Sequence, residues 1–267
     1  MNDSPIGVFD SGVGGLTVVR SLRQRLPDES IAYLGDTARI PYGTRSPATI
    51  ERYAVQNARF LEAQNIKMLV IACNTASALA LDRLRELKPD LPTIGVIEPG
   101  ARQAVRTSRS GRIGVIGTEA TIASGAYTAA IHSLRPDAVV TSRACPLFVA
   151  LAEEGWSQHA DATRLIAAKY LEPLREAGVD TLVLGCTHYP ILREVIADAV
   201  GPEVSLIDSG EAVAADVADL LARESMLSGS ASGSASQYYV TDAAARFRRV
   251  AEVFLGEPLE RFETVEI

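Results

Sequence analysis

Residues 182–190 read LVLGCTHYP. An apolar run ends on Gly185, and Cys186 follows with a hydroxyl, an imidazole and a Tyr-Pro pair behind it. Residues 69–77, LVIACNTAS, repeat the arrangement: an apolar run, then Cys73, then Asn74 and Thr75. Near-continuous Val/Ile/Leu runs followed by helical patterns mark strands buried on both faces of a parallel sheet. In such sheets ligands bind beyond the carboxyl ends of the strands, and both thiols fall there.

The rest of the chain extends this reading. Apolar runs at 6–10, 31–36, 68–73, 93–98, 113–118, 138–143, 181–186, 204–208 and 237–242 are expected to be strands. Segments with apolar residues at helical spacing lie between them, such as LTVVRSLRQRL and ATRLIAAKYLEPLREAG. Four stretches also recur in order: IGVFDSGVGGLT and IGVIGTEATIAS, IAYLGDTARIPYG and AVVTSRACPLFVA, NIKMLVIACNT and GVDTLVLGCTH, PTIGVIEPG and PEVSLIDSG. Four pairs in register point to an internal duplication. The expected architecture is α/β, with two similar parallel-sheet domains related by a pseudo-twofold and the active site in the cleft between them. Residues 1–97 with 211–267 are expected to form the first domain, and residues 98–210 the second. The Gly/Ser-rich run SGSASGSAS at 228–236 reads as a flexible spacer. The strand and helix after it are expected to return to the first half.

Composition narrows the function. The chain has 267 residues, 47% apolar and 22% charged, as in an ordinary soluble globular protein. A net charge of −7 argues against nucleic acid as a direct partner, because phosphate binding needs a basic patch. The start, MNDSPIGVFDSG, lacks the basic and apolar regions of a signal peptide. No run approaches the ~18 apolar residues of a membrane span. Cys73, Cys145 and Cys186 are too few and too scattered for a disulfide framework or a zinc site, and free thiols suit a reducing cytoplasm.

The matched pair Cys73 and Cys186 suggests a reaction. If the halves face each other, the two thiols approach one cleft from opposite sides. Inverting a carbon centre needs one group to take a proton from one face and another to deliver one to the other face. The polar residues after each cysteine are expected to open a helix, whose exposed N–H groups lower a thiol's pKa and hold anions. Cys145 has no such partner and reads as a small buried hydrophobe. Asp10 ends the first strand, on the side expected to carry Cys73; its other reading is a cap on the turn that follows. His188 lies two residues past Cys186. Glu153, with Glu154 beside it, follows the stretch that mirrors IPYG. DSGVGG (10–15) lacks the Lys-Ser/Thr of a phosphate loop and the GxGxxG spacing of a dinucleotide fingerprint. It reads as a close-approach turn whose N–H groups can hold a carboxylate.

FDSGVGGLTV (9–18), DTARIPYG (36–43), ACNTAS (72–77) and GCTHYP (185–190) together resemble the glutamate racemases, in order and over nearly the whole chain. The resemblance implies a racemase that needs no cofactor, interconverts L- and D-glutamate for peptidoglycan, and forms homodimers. It assigns Cys73 and Cys186 as the catalytic acid/bases, with Asp10 assisting the first and His188 and Glu153 the second. It places Asp10, Ser11, Tyr42, Gly43, Asn74, Thr75, Thr118, Thr121, Thr187 and His188 around the substrate. One departure is visible: Ala150 stands where the family often has a second proline, in the loop expected to lead to Glu153. Two rival readings are a racemase of aspartate or a hydantoin, and a binding protein that regulates a partner such as DNA gyrase.

Overall fold

The computed structural model describes residues 2–156, 160–229, 236–242, 244–259 and 261–267. The chain begins β1 (Ile6–Asp10), α1 (Leu16–Arg25), β2 (Ile31–Gly35), α2 (Pro47–Glu62), β3 (Met68–Ile71), α3 (Asn74–Leu87), β4 (Thr93–Gly95) and α4 (Ile97–Thr107). The alternation continues with β5 (Arg112–Gly117), α5 (Glu119–Ala123), α6 (Ala126–Leu134), β6 (Val139–Ala144), α7 (Leu147–Glu153) and α8 (Asp161–Glu176). It closes with β7 (Thr181–Gly185), α9 (Arg193–Val200), β8 (Ser205–Asp208), α10 (Ser209–Arg223), β9 (Gln237–Val240), α11 (Ala244–Leu255) and β10 (Glu263–Thr264).

The strands form two parallel sheets, ordered β10-β9-β2-β1-β3-β4 and β6-β5-β7-β8. The order β2-β1-β3-β4 of the first is repeated by β6-β5-β7-β8 of the second, strand for strand with the four recurring sequence pairs. Helices cover both faces, so the central strands β1, β2, β3 and β7 are buried along their whole length. Along β3 and the two residues after it, Met68, Val70 and Ala72 join one core while Leu69, Ile71 and Cys73 join the other. Along β7 and the residue after it, Leu182, Leu184 and Cys186 face one core and Val183 another. Strand alternation thus aims each thiol into a different layer at the end of its strand.

The C-terminal segment returns to the first lobe. Residues Ala32–Gly35 of β2 pair with Gln237–Val240 of β9, and α11 packs on α1 through a face that includes Phe247, Val250, Ala251 and Phe254. Between the lobes, α10 packs on both α1 and α4. Its N-cap is Asp208, whose carboxylate accepts from the amides of Gly210 and Glu211. At the amino ends of the strands, Lys67 makes a buried ion pair with Glu29 and also donates to the carbonyls of Asn2 and Met226 at 2.8 and 2.9 Å.

Two local readings need correction. The run at 93–98 is a strand only to Gly95: Val96 donates to Ser77 Oγ at 3.2 Å, and Ile97 opens α4. Pro99 lies in that helix's first turn, where a missing N–H costs nothing. The stretch before Glu153 is a helix, α7, with Ala150 inside it, and not a loop. β10, two residues long, carries too little pattern to be read from sequence. Positions 230–235 of the Gly/Ser run lie outside the described residues.

Candidate active site

β3 and β7 end beside each other across the cleft, and their cysteines line one cavity of about 430 Å³. The first lobe contributes Ser11, Ile40, Pro41, Tyr42, Gly43, Thr44, Cys73, Asn74 and Thr75 to its wall. The second contributes Thr118, Glu119, Pro146, Val149, Ala150, Glu153, Cys186, Thr187 and His188, and α11 adds Arg246.

The surroundings of the two thiols differ. Cys73 is the N-cap of α3, and its sulfur accepts from the Ala76 amide at 3.5 Å. A helix start was expected to depress this thiol. Burial wins instead: with the neighbouring Asp10 charge it pushes Cys73 up to about 12, against the pull of the Ala76 amide and the Ser11 hydroxyl. Cys186 opens no α-helix. Its strand runs into a turn and a 3-10 segment, Tyr189–Leu192, before α9 begins at Arg193. Its local partner is His188, whose Nδ1 lies 3.8 Å from the sulfur. His188 Nε2 lies 2.9 Å from Glu153 Oε1. Burial disfavours the charged ring, but Cys186 and Glu153 together outweigh it and raise His188 to about 10. Burial likewise opposes ionisation of Glu153, and the hydrogen bonds and charges of His188 and Arg246 overcome it, leaving the carboxyl below its ordinary value. An imidazolium with both N–H groups donating, one to sulfur and one to carboxylate, satisfies this geometry.

Asp10 is fully buried and does not line the cavity. The carboxylate held by the glycine turn is its own: Gly12 N donates to Asp10 Oδ2 at 2.9 Å. Thr187 Oγ1 donates to Asp10 Oδ1 at 3.4 Å from the other lobe. Burial pushes this carboxyl above its usual range, against the His188 charge and the turn's amides.

The lobes meet through hydroxyls and amides. Thr75 Oγ1 lies 2.9 Å from Thr118 Oγ1 and 3.0 Å from Thr121 Oγ1, and the latter two are 3.0 Å apart. The Tyr127 hydroxyl donates to Asn74 Oδ1 at 2.7 Å, and Thr17 Oγ1 donates to the Thr187 carbonyl at 2.9 Å. Tyr42 is anchored by hydrogen bonds to the buried Asp36 and to Asn57. Gly43 lies so close to Thr118 that an added Cβ would stand 2.8 Å from the threonine Cβ.

Every residue that the resemblance assigned lies on the cavity wall or hydrogen-bonds across the cleft behind it. Asp10 and Thr121 are the two behind it; Ser11, Tyr42, Gly43, Cys73, Asn74, Thr75, Thr118, Glu153, Cys186, Thr187 and His188 line it. Cys145 is buried in the second lobe's core, away from the cavity wall. Sequence reasoning missed Arg246. It lies in an ordinary amphipathic helix with no local motif, 93 positions from the Glu153 that it contacts.

The sequence profile of the Asp/Glu/Hydantoin racemase family matches residues 11–217. A glutamate racemase of Geobacter metallireducens is 54% identical over 254 residues, covering 95% of this chain and 93% of that one. Among solved structures, glutamate racemase from Francisella tularensis in complex with D-glutamate is 42% identical, with a TM-score of 0.93 over 100% of this chain and 98% of that one. A glutamate racemase isoform from Bacillus anthracis is 38% identical, with a TM-score of 0.95 over 100% and 99% of the two chains. With that coverage and two thiols facing one cleft, the chain belongs to the Asp/Glu/hydantoin racemase family.

Proposed function

We propose that this chain is a cofactor-independent glutamate racemase in which Cys73 and Cys186 exchange protons with opposite faces of the substrate α-carbon. The observation that carries this reading is the shared cavity: two cysteines from duplicated strand ends, one in each lobe, on the wall of one chamber. The thiolate on one side takes the Cα proton, and the electron pair passes into the adjoining carboxylate group. The thiol on the other side then delivers its proton to the opposite face. Each turnover moves one proton off the substrate and one onto it, and swaps the ionisation of the sulfurs.

The two environments suit these tasks. His188, held by Glu153, sits with Nδ1 facing the Cys186 sulfur, while burial beside Asp10 favours the protonated form of Cys73. The substrate's carboxylates would be held by hydroxyl and amide donors, with Thr75, Thr118, Asn74 and Thr187 in reach of the chamber. Relatives named as glutamate racemases, one of them bound to D-glutamate, favour glutamate over aspartate or a hydantoin. In this reading residues 1–97 with 211–267, and residues 98–210, are the two domains that each supply one thiol. The same reading extends to supply of D-glutamate for peptidoglycan, a cytoplasmic location and a homodimer.

Racemisation followed by circular dichroism, with deuterium incorporation at Cα in D2O, tests the proposal. Wild-type enzyme should racemise both glutamate enantiomers faster than aspartate. Cys73→Ala and Cys186→Ala should each lose at least ~10²-fold in kcat, while Cys145→Ala keeps its activity. Full racemisation by either of the first two variants would end the two-thiol mechanism.

A further inference from the structure

Glu153 uses both carboxylate oxygens. Oε1 meets His188 Nε2 at 2.9 Å, and Oε2 accepts from Arg246 Nη2 at 2.7 Å. The two partners arrive from different lobes. His188 follows β7 of the second sheet, whereas Arg246 lies on α11, which packs on α1 of the first. Glu153 is the last residue of α7, and a glutamate there has three rotatable bonds. One hydrogen bond leaves such a carboxylate free to swing, whereas two partners from opposite directions fix its plane. The same helix also holds the imidazole: Phe254 is fully buried with its ring in edge contact with His188, the centroids 5.2 Å apart at 77°. α11 therefore grips both members of the pair that serves Cys186.

We propose that Arg246 is a positioning residue for the reaction, fixing the Glu153 carboxylate so that His188 stays seated against Cys186. The inference rests on the racemase reading above. The guanidinium also borders the cavity, so the competing role is direct contact with a substrate carboxylate. The two roles part in steady-state kinetics. A group acting through Glu153 changes kcat and loses its effect once Glu153 is gone. A group binding substrate changes KM.

Four variants decide it: Arg246→Gln, Arg246→Lys, Glu153→Gln and the double variant Glu153→Gln/Arg246→Gln, each assayed with both enantiomers alongside a thermal melt. Arg246→Gln should lower kcat roughly ten- to a hundred-fold, the scale of a misplaced catalytic group, with KM within about two-fold of wild type. Its melting point should stay close to wild type, because Arg246 is half-exposed. Arg246→Lys should recover most of the rate, since the ammonium still pairs with the carboxylate. The double variant should be no slower than Glu153→Gln alone. A higher KM at unchanged kcat, losses that multiply in the double variant, or a wild-type rate in Arg246→Gln would each overturn the proposal. Should wild-type enzyme leave both glutamate enantiomers untouched, the substrate reading falls by itself. The same variants, run on whichever enantiomer pair the enzyme does racemise, still decide the role of Arg246.

Discussion

Gly14→Ala changes no charge and removes no contact, yet it should disable the enzyme. Gly14 is not among the glycines with positive φ, so its backbone conformation suits alanine. The obstacle is the other lobe. A Cβ at position 14 would stand 2.2 Å from Thr187 Oγ1 and 2.5 Å from His188 Nδ1. Comfortable contact begins near ~3.5 Å, so the ring must retreat by about 1 Å and the hydroxyl by somewhat more. The backbone of Thr187 resists moving, because its carbonyl accepts from Thr17 Oγ1 at 2.9 Å. The displacement therefore falls on the side chains, and His188 cannot shift that far and keep its 2.9 Å contact with Glu153. Misplacing a catalytic group by ~1 Å costs on the order of 10²-fold in rate. The same crowding should cost about 1–3 kcal/mol of stability, a fall of several degrees in melting temperature at this chain length. The assay is racemisation at a temperature where the melt shows the variant folded. Because the enantiomers have equal free energies, kcat/KM must fall equally in both directions. Gly201→Ala is the control: φ there is +101° with nothing within 4 Å. It should lose about 1–3 kcal/mol of stability and none of the kcat. A Gly14→Ala enzyme within about three-fold of wild type would refute the argument that contact across the cleft sets His188.

Two further outcomes follow from buried charge. His188 rises to about 10 in the fold, from an ordinary value near ~6.5. The fold therefore favours the protonated ring, and its contribution to stability is complete below pH ~6.5 and lost as pH rises toward 10. In urea titrations the stability difference between wild type and His188→Asn should shrink over that window; a difference that grows with pH would show the ring to be buried neutral. Lys67→Met leaves Glu29 buried without its cation, which should cost about 3–5 kcal/mol, while Glu29→Gln/Lys67→Met recovers most of the loss. Both groups lie at the amino ends of the strands, away from the thiols, so kcat of folded Lys67→Met enzyme should be unchanged. A loss below about 1 kcal/mol would mean that water reaches Glu29.

Much of this molecule was legible along the chain, because its signals are local. An apolar run of four or five residues has few options when both faces are covered, so most strands begin and end near the positions that the sequence suggested. Local reasoning failed where a distant partner intervened. Val96 leaves its strand because Ser77, 19 positions earlier, takes its amide. The glycine turn at 10–15 holds Asp10 itself, which removes that carboxylate from the cavity wall. The helix-start argument suited Cys73 in geometry but mistook the direction of its shift, since the depth of burial is invisible in a motif.

By itself the sequence determined two matching halves, a cysteine at the end of the third strand of each, and a racemase family around them. The register of four recurring stretches carries that information without any contact having to be known. Only the tertiary structure decided how the thiols differ. Cys73 is buried beside Asp10, whereas Cys186 faces an imidazole held by Glu153, which Arg246 holds in turn from the returning helix. The longest of these links, Glu153 to Arg246, joins positions 93 residues apart, and the cleft is also crossed by Thr187 to Asp10, 177 apart. Burial and electrostatic coupling depend on distance in space, which the order of residues along a chain does not specify.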